Sequence, residues 1–144
     1  MEFKIDIPTD SEGFYSLNCP HCSERFKAQG GDMDSEEVYE LFCPSCGLIA
    51  DKSKFLPPEI IDHAETLAAN YAEQEIYKSL KKTGLKLKGS GIKMKLNKPK
   101  EKAPQILTED ENLEQVNLIC CNKIIKVNID HKLSNVFCPF CGVN

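Results

Sequence analysis

Cys19-Pro20-His21-Cys22 and Cys43-Pro44-Ser45-Cys46-Gly47 decide how this chain is read. A turn of the form C-P-x-C lets two sulfurs converge on one ion while backbone N–H groups bond those sulfurs. A second such turn follows after the 20 residues Ser23 to Phe42. Together they supply the four thiolates of a structural zinc site. The pattern partly repeats near the C-terminus as Cys120-Cys121 and Cys138-Pro139-Phe140-Cys141-Gly142. All eight cysteines fall in or near these clusters, which favours metal over disulfides and so a reducing compartment.

Working outward, each N-terminal knuckle is flanked by stretches that suit strands. Phe14-Tyr15-Ser16-Leu17-Asn18 and Glu24-Arg25-Phe26-Lys27-Ala28 bracket the first, and Val38 to Phe42 and Leu48 to Ala50 bracket the second. A polar, glycine-bearing loop from Gly30 to Glu37 joins the two. Phe14, Phe26, Tyr39, Phe42, Ile49 and Phe55 are the expected core, too small to fold without the metal. Pro57-Pro58 marks a boundary, and the spacing predicts a helix from Pro58 to about Thr83, stopped by Gly84. Its expected apolar face holds Ile61, Ala64, Ala68, Tyr71, Ala72, Ile76 and Leu80, widened by Ile60 and Leu67, and Glu65 and Glu75 near its edges make the expected burial partial. From Leu85 to Leu96, apolar residues alternate with lysines around Gly89-Ser90-Gly91, which reads as a hairpin or as a single strand from Ile92 to Leu96. Asn97 to Asp110 reads as a polar linker, and Gln115 to Cys120 and Lys123 to Asn128 as the last strands.

The quoted knuckles resemble those of the zinc-ribbon superfamily over about residues 14 to 55. The resemblance places Cys19, Cys22, Cys43 and Cys46 at the ligand positions and implies a small three-stranded β-structure with the metal between two hairpin turns. The C-terminal copy is degenerate. Cys138 and Cys141 match the second knuckle. If Leu118-Ile119-Cys120 is laid on Leu17-Asn18-Cys19, the fourth ligand place falls on Lys123, which cannot serve. Either Cys120 and Cys121 complete the set, or His131 replaces one of them, or the copy keeps its shape without metal. The expected architecture is a small α+β protein: a zinc ribbon in 1–56, a connecting amphipathic helix in 57–84, and in 85–144 a basic β segment, a linker and a ribbon-like module.

Charge is unevenly spread. Met1 to Tyr77 carries 5 Lys/Arg against 16 Asp/Glu, whereas Lys78 to Lys102 carries 10 Lys and the single acid Glu101. That basic block either meets polyanions, through lysines such as Lys86, Lys88, Lys93 and Lys95, or pairs with acids of its own chain. It holds no arginine for base readout and no aromatic for base stacking. The N-terminus has no signal-peptide pattern and no apolar run approaches a membrane span, so the expectation is a cytoplasmic protein without a membrane partner. No Ser/His/acid set, phosphate-cradling glycine loop or small-molecule site is evident in the sequence. The expected function is non-enzymatic: a zinc-binding adaptor that presents metal-stabilised surfaces to a protein partner. The alternatives are a nucleic-acid-associated factor acting through the lysines and, third, an iron-based redox carrier, since thiolate tetrahedra accept either metal.

Overall fold

Strand pairing between residues almost a hundred positions apart organises this protein. The computed structural model describes residues 4–87, 91 and 95–144. Strands β1 (Phe14–Asn18) and β2 (Arg25–Gln29) form one antiparallel hairpin, and β5 (Glu114–Leu118) and β6 (Lys123–Val127) form another. β2 pairs antiparallel with β6, giving one four-stranded sheet in the order β1-β2-β6-β5. Between the hairpins in sequence lie helix α1 (Gly30–Met33), the two-stranded sheet β3 (Glu40–Phe42) and β4 (Ile49–Asp51), and a 3-10 turn over Lys52–Phe55. The long helix α2 (Pro58–Leu87) and, after β6, the short helix α3 (Ile129–Lys132) complete the fold. The result is a small α+β protein with a long helix between strand regions. The two cysteine-bearing hairpins, read from sequence as separate modules, share one sheet.

The chain divides into two compact units. One comprises Asp6–Ile60 with Leu107–Asn144; the other is Ile61–Ile106, with Lys4 and Ile5. In the first, the pleat sorts side chains by alternation. Phe26, Ala28, Ile125 and Val127 lie on one face and are buried with Leu17 and Leu118. Met33, Leu41 and Phe55 close over them, and Cys19, Cys43 and Cys138 belong to the same core. Phe26 and Phe55 meet edge to face with centroids 5.9 Å apart. Of the six expected core residues, Phe14, Phe26 and Phe55 are buried and Phe42 is half-buried, but Tyr39 and Ile49 are 76% and 46% exposed. Leu118, Ile125 and Val127 of the second hairpin belong to the core that excludes those two.

The opposite face of the sheet buries charge. Lys27 and Lys126 are direct cross-strand neighbours, and both are buried. The Asp10 carboxylate lies between them, with Oδ2 2.7 Å from Lys126 Nζ and 3.4 Å from Lys27 Nζ. Glu109, its side chain largely covered, adds a second carboxylate 3.3 Å from Lys27 and accepts from the Ser16 hydroxyl at 2.7 Å. Lys126 also lies over the ring of Phe14, 4.6 Å from its centroid. Burial alone pushes the Asp10 carboxyl up. The hydrogen bond from Lys126 and the N–H groups of Phe14 and Glu12 outweigh it and hold the group at about 2.

In the second unit, α2 continues three residues past the expected stop. Gly84 is not among the glycines with positive φ, so it sits in the helix instead of ending it. The expected hairpin is corrected to this extent: Leu85–Leu87 is helical, while Lys88, Lys93 and most of its remainder lie outside the described residues. Along the expected apolar face Ala64 and Tyr71 are half-buried, while Ile61, Ala68, Ala72, Ile76 and Leu80 are exposed. The helix instead carries the linker as a strap tied to it by polar side chains. Asn70 donates to the Lys102 carbonyl at 2.7 Å and accepts from its N–H at 2.9 Å. His63 bonds through Nδ1 to the Gln105 carbonyl at 2.7 Å. A proline-bearing strap outside any sheet needs such side chains to satisfy its backbone groups. No helix among the described residues is long and apolar enough to cross a membrane.

Candidate metal centres

The same local turn builds three of the four cysteine corners. Cys19, Cys43 and Cys138 each donate their N–H to the carbonyl five residues on, at 2.9, 3.0 and 2.8 Å. Each also accepts at its own carbonyl from the N–H four residues on, at 3.0, 2.9 and 2.8 Å. The residue at that fourth place turns left-handed: Ser23 at φ 63°, Gly47 at φ 70° and Gly142 at φ 72°. The chain thereby reverses within one turn and aims both sulfurs to the same side. Sulfurs of the first set accept backbone N–H bonds, from His21 to Cys19 at 3.3 Å and from Ser45 to Cys43 at 3.4 Å.

The fourth corner, on the β5–β6 turn, explains the degenerate copy. Asn122 is the only other described non-glycine residue with positive φ, at 52°. It follows Cys121 as Ser23 follows Cys22. Registering the hairpins on these residues also superposes Lys27 on Lys126, which pair across the sheet. The same offset of 99 carries the partners Asn18 and Arg25 onto Asn117 and Ile124, so the two turns are equally long. Cys121 takes the place of Cys22 and Cys120 that of His21, which puts the two thiols of this corner side by side in the chain. The alignment that put a ligand place on Lys123 started from the wrong end of the turn. Lys123 instead lies over the Phe140 ring, 4.0 Å from its centroid.

Two four-sulfur sets result. The Sγ atoms of Cys19, Cys22, Cys43 and Cys46 lie within 4.8 Å of one another, as do those of Cys120, Cys121, Cys138 and Cys141. Each set could hold a metal ion. In the first, Cys19 and Cys46 are 3.7 Å apart and Cys22 and Cys43 are 3.6 Å apart. The edge of a tetrahedron with metal–sulfur bonds of ~2.3 Å is ~3.8 Å, so the donors already sit at coordinating separation. All eight cysteines are free thiols. His131 is not part of the second set: its Nε2 lies 3.4 Å from Glu24 Oε2. His21, inside the first knuckle, ties its ring to the Ile49 carbonyl at 3.2 Å.

The thiols cannot all ionise unaided. Burial pushes Cys43 and Cys138 up, and the Cys141 thiol pushes Cys120 up. The N–H of Val143 holds Cys141 down, at about 7. Four clustered thiolates need a cation to balance them, so metal binding releases protons. Zinc affinity should therefore fall steeply as pH drops below neutral, and a pH series with a competing chelator measures that slope.

The two C-P-x-C-G knuckles also lock onto each other. Phe42 donates its N–H to the Pro139 carbonyl at 2.9 Å, and Phe137 donates to the Pro44 carbonyl at 2.9 Å. A Cβ on Gly47 would meet the Phe137 ring at 3.2 Å; one on Gly142 would meet the Phe42 ring at 2.9 Å. The two centres thus occupy one unit with approximate two-fold symmetry. Gly142→Ala should cost about 2–4 kcal/mol, from left-handed strain plus the ring it displaces. Gly47→Ala should cost less, and urea unfolding of the metal-loaded variants compares them.

Comparison with family models, with curated proteins and with solved structures finds no match for this chain.

Proposed function

We propose that the protein is a non-enzymatic zinc-binding adaptor: two structural zinc ions hold a small sheet that presents surfaces to a protein partner. The observation that carries this reading is the closed donor set. Each centre offers four protein sulfurs at mutual distances suited to one tetrahedral ion. A catalytic zinc keeps a coordination place for water beside a general base. Four sulfurs leave no such place, which supports a structural role. The buried sulfurs of Cys19, Cys43 and Cys138 belong to the hydrophobic core itself, so the ions would stabilise the fold directly.

Zinc is favoured over iron because nothing else on the chain serves electron transfer: the sequence shows neither a flavin-binding fingerprint nor a di-iron carboxylate pattern. The test is the metal content of the purified protein together with its visible spectrum. Colourless protein containing zinc, with a tetrahedral thiolate spectrum on cobalt substitution, is the expected result. Red protein containing iron, bleached reversibly by dithionite, would replace the adaptor by a redox carrier. The nucleic-acid reading draws on the lysines of Ile61–Ile106. Lys95 is exposed, and it forms no ion pair among the described residues.

A further inference from the structure

In the second unit an apolar groove of about 240 Å³ runs between α2 and the start of the strap. Ile76, Tyr77 and Leu80 of the helix face Leu96 and Pro99 of the strap, and Glu73 is the one acid in the lining. Ile76 is 59% exposed and Leu80 40%, so large apolar side chains stand open to water. Lysines border both walls in sequence: Lys78, Lys81 and Lys82 on the helix, and Lys95, Lys98 and Lys100 on the strap, all exposed. Among the described residues only Lys78 of these six forms an ion pair, with Glu75 at 2.8 Å. Of these six, then, only Lys78 follows the alternative in which the lysine block pairs with acids of its own chain.

We propose that this groove is a docking site for an acidic peptide segment of a partner protein, with one large apolar side chain in the slot and carboxylates against the lysines. The proposal rests on the adaptor reading and gives its partner a chemistry. Charge complementarity decides the sign of the ligand. The slot decides its class, because a buried apolar anchor is what a peptide brings to a groove. A nucleic acid would meet the same lysines, yet the phosphate backbone gains nothing from an apolar slot. The walls also lack arginine for reading base edges. The lysines would speed encounter and weaken with salt, while the anchor would set the lifetime of the complex.

The test uses the full-length zinc-loaded protein and fluorescence anisotropy at about 0.15 M salt, where surface charges more than about 8 Å apart are screened. The probes are a short Asp/Glu peptide with one central Phe, the same peptide with Ala in that place, and single-stranded oligothymidylate. The Phe peptide should bind about tenfold or more tighter than the Ala peptide, the equivalent of burying one aromatic side chain. Ile76→Glu, at an exposed helix position, should abolish that difference. The triple variant Lys81→Gln, Lys95→Gln, Lys98→Gln should weaken both peptides about tenfold while keeping the preference for Phe. Equal binding of the two peptides, or no binding of either, overturns the proposal. So does oligothymidylate binding tighter than the Phe peptide and indifferent to Ile76→Glu, which would make the face a phosphate-binding surface. Zinc is measured in the same samples: failure of the peptides with full zinc content refutes the groove alone, whereas iron in place of zinc refutes the adaptor.

Discussion

Cys43→Ser should unfold the whole unit Asp6–Ile60 with Leu107–Asn144, not only the N-terminal knuckles. Cys43 is fully buried, in the same core as Ile125, Val127 and Cys138. Its neighbour Phe42 hydrogen-bonds the knuckle of the other centre. A structural zinc site contributes about 10–16 kcal/mol of apparent binding energy near neutral pH. Small domains have only about 5–15 kcal/mol of stability in total. Losing one ion therefore exceeds what the sheet can absorb. Amide hydrogen exchange of the variant should show β5 and β6 unprotected along with β1 and β2. Protection retained in β5–β6 would mean the two centres fold independently, as the sequence alone suggested.

A second large effect is expected on the opposite face of the sheet. Asp10→Asn keeps the shape of the side chain and its acceptor for the N–H groups of Phe14 and Glu12. It removes the charge that lies between buried Lys27 and Lys126. Breaking a buried ion pair by neutralising one partner costs about 3–5 kcal/mol; the lower end is expected, because Glu109 at 3.3 Å from Lys27 and Glu12 at 3.7 Å from Lys126 remain. The measurement is the urea midpoint of the zinc-loaded protein. Adding Lys126→Met should recover part of the loss, since it removes the buried ammonium that has lost its nearest carboxylate. The pH dependence has a definite sign. The folded Asp10 lies at about 2, below its ordinary 3.8. Its contribution is therefore fully present above about 4 and lost as pH falls through 2. Near neutral pH, where the protein holds zinc, the cost of Asp10→Asn should therefore stay constant with pH.

The knuckles and their flanking strands were legible because each is a local signal. A C-P-x-C turn and a run such as Phe14 to Asn18 carry their own geometry. The pairing of β2 with β6 was not, since Lys27 and Lys126 lie 99 positions apart and antiparallel pairing of distant strands leaves no periodic mark. The same blindness hid Asp10, one carboxylate in an acidic N-terminal half until two lysines converge on it. Gly84 misled because a glycine ends a helix only by turning left-handed, and it does not. The second centre had a usable signal that was passed over. Ser23 and Asn122 both favour turns and both follow a cysteine, and aligning backward from them pairs Cys121 with Cys22.

If both four-sulfur sets hold a metal ion within one shared unit, native mass spectrometry of the zinc-reconstituted protein should find two zinc ions per wild-type chain, with no stable one-zinc species during titration by chelator, because the centres share a core. A wild-type chain that saturates at one zinc, with Cys138→Ser holding the same single ion, would contradict this and leave the C-terminal hairpin held by packing alone.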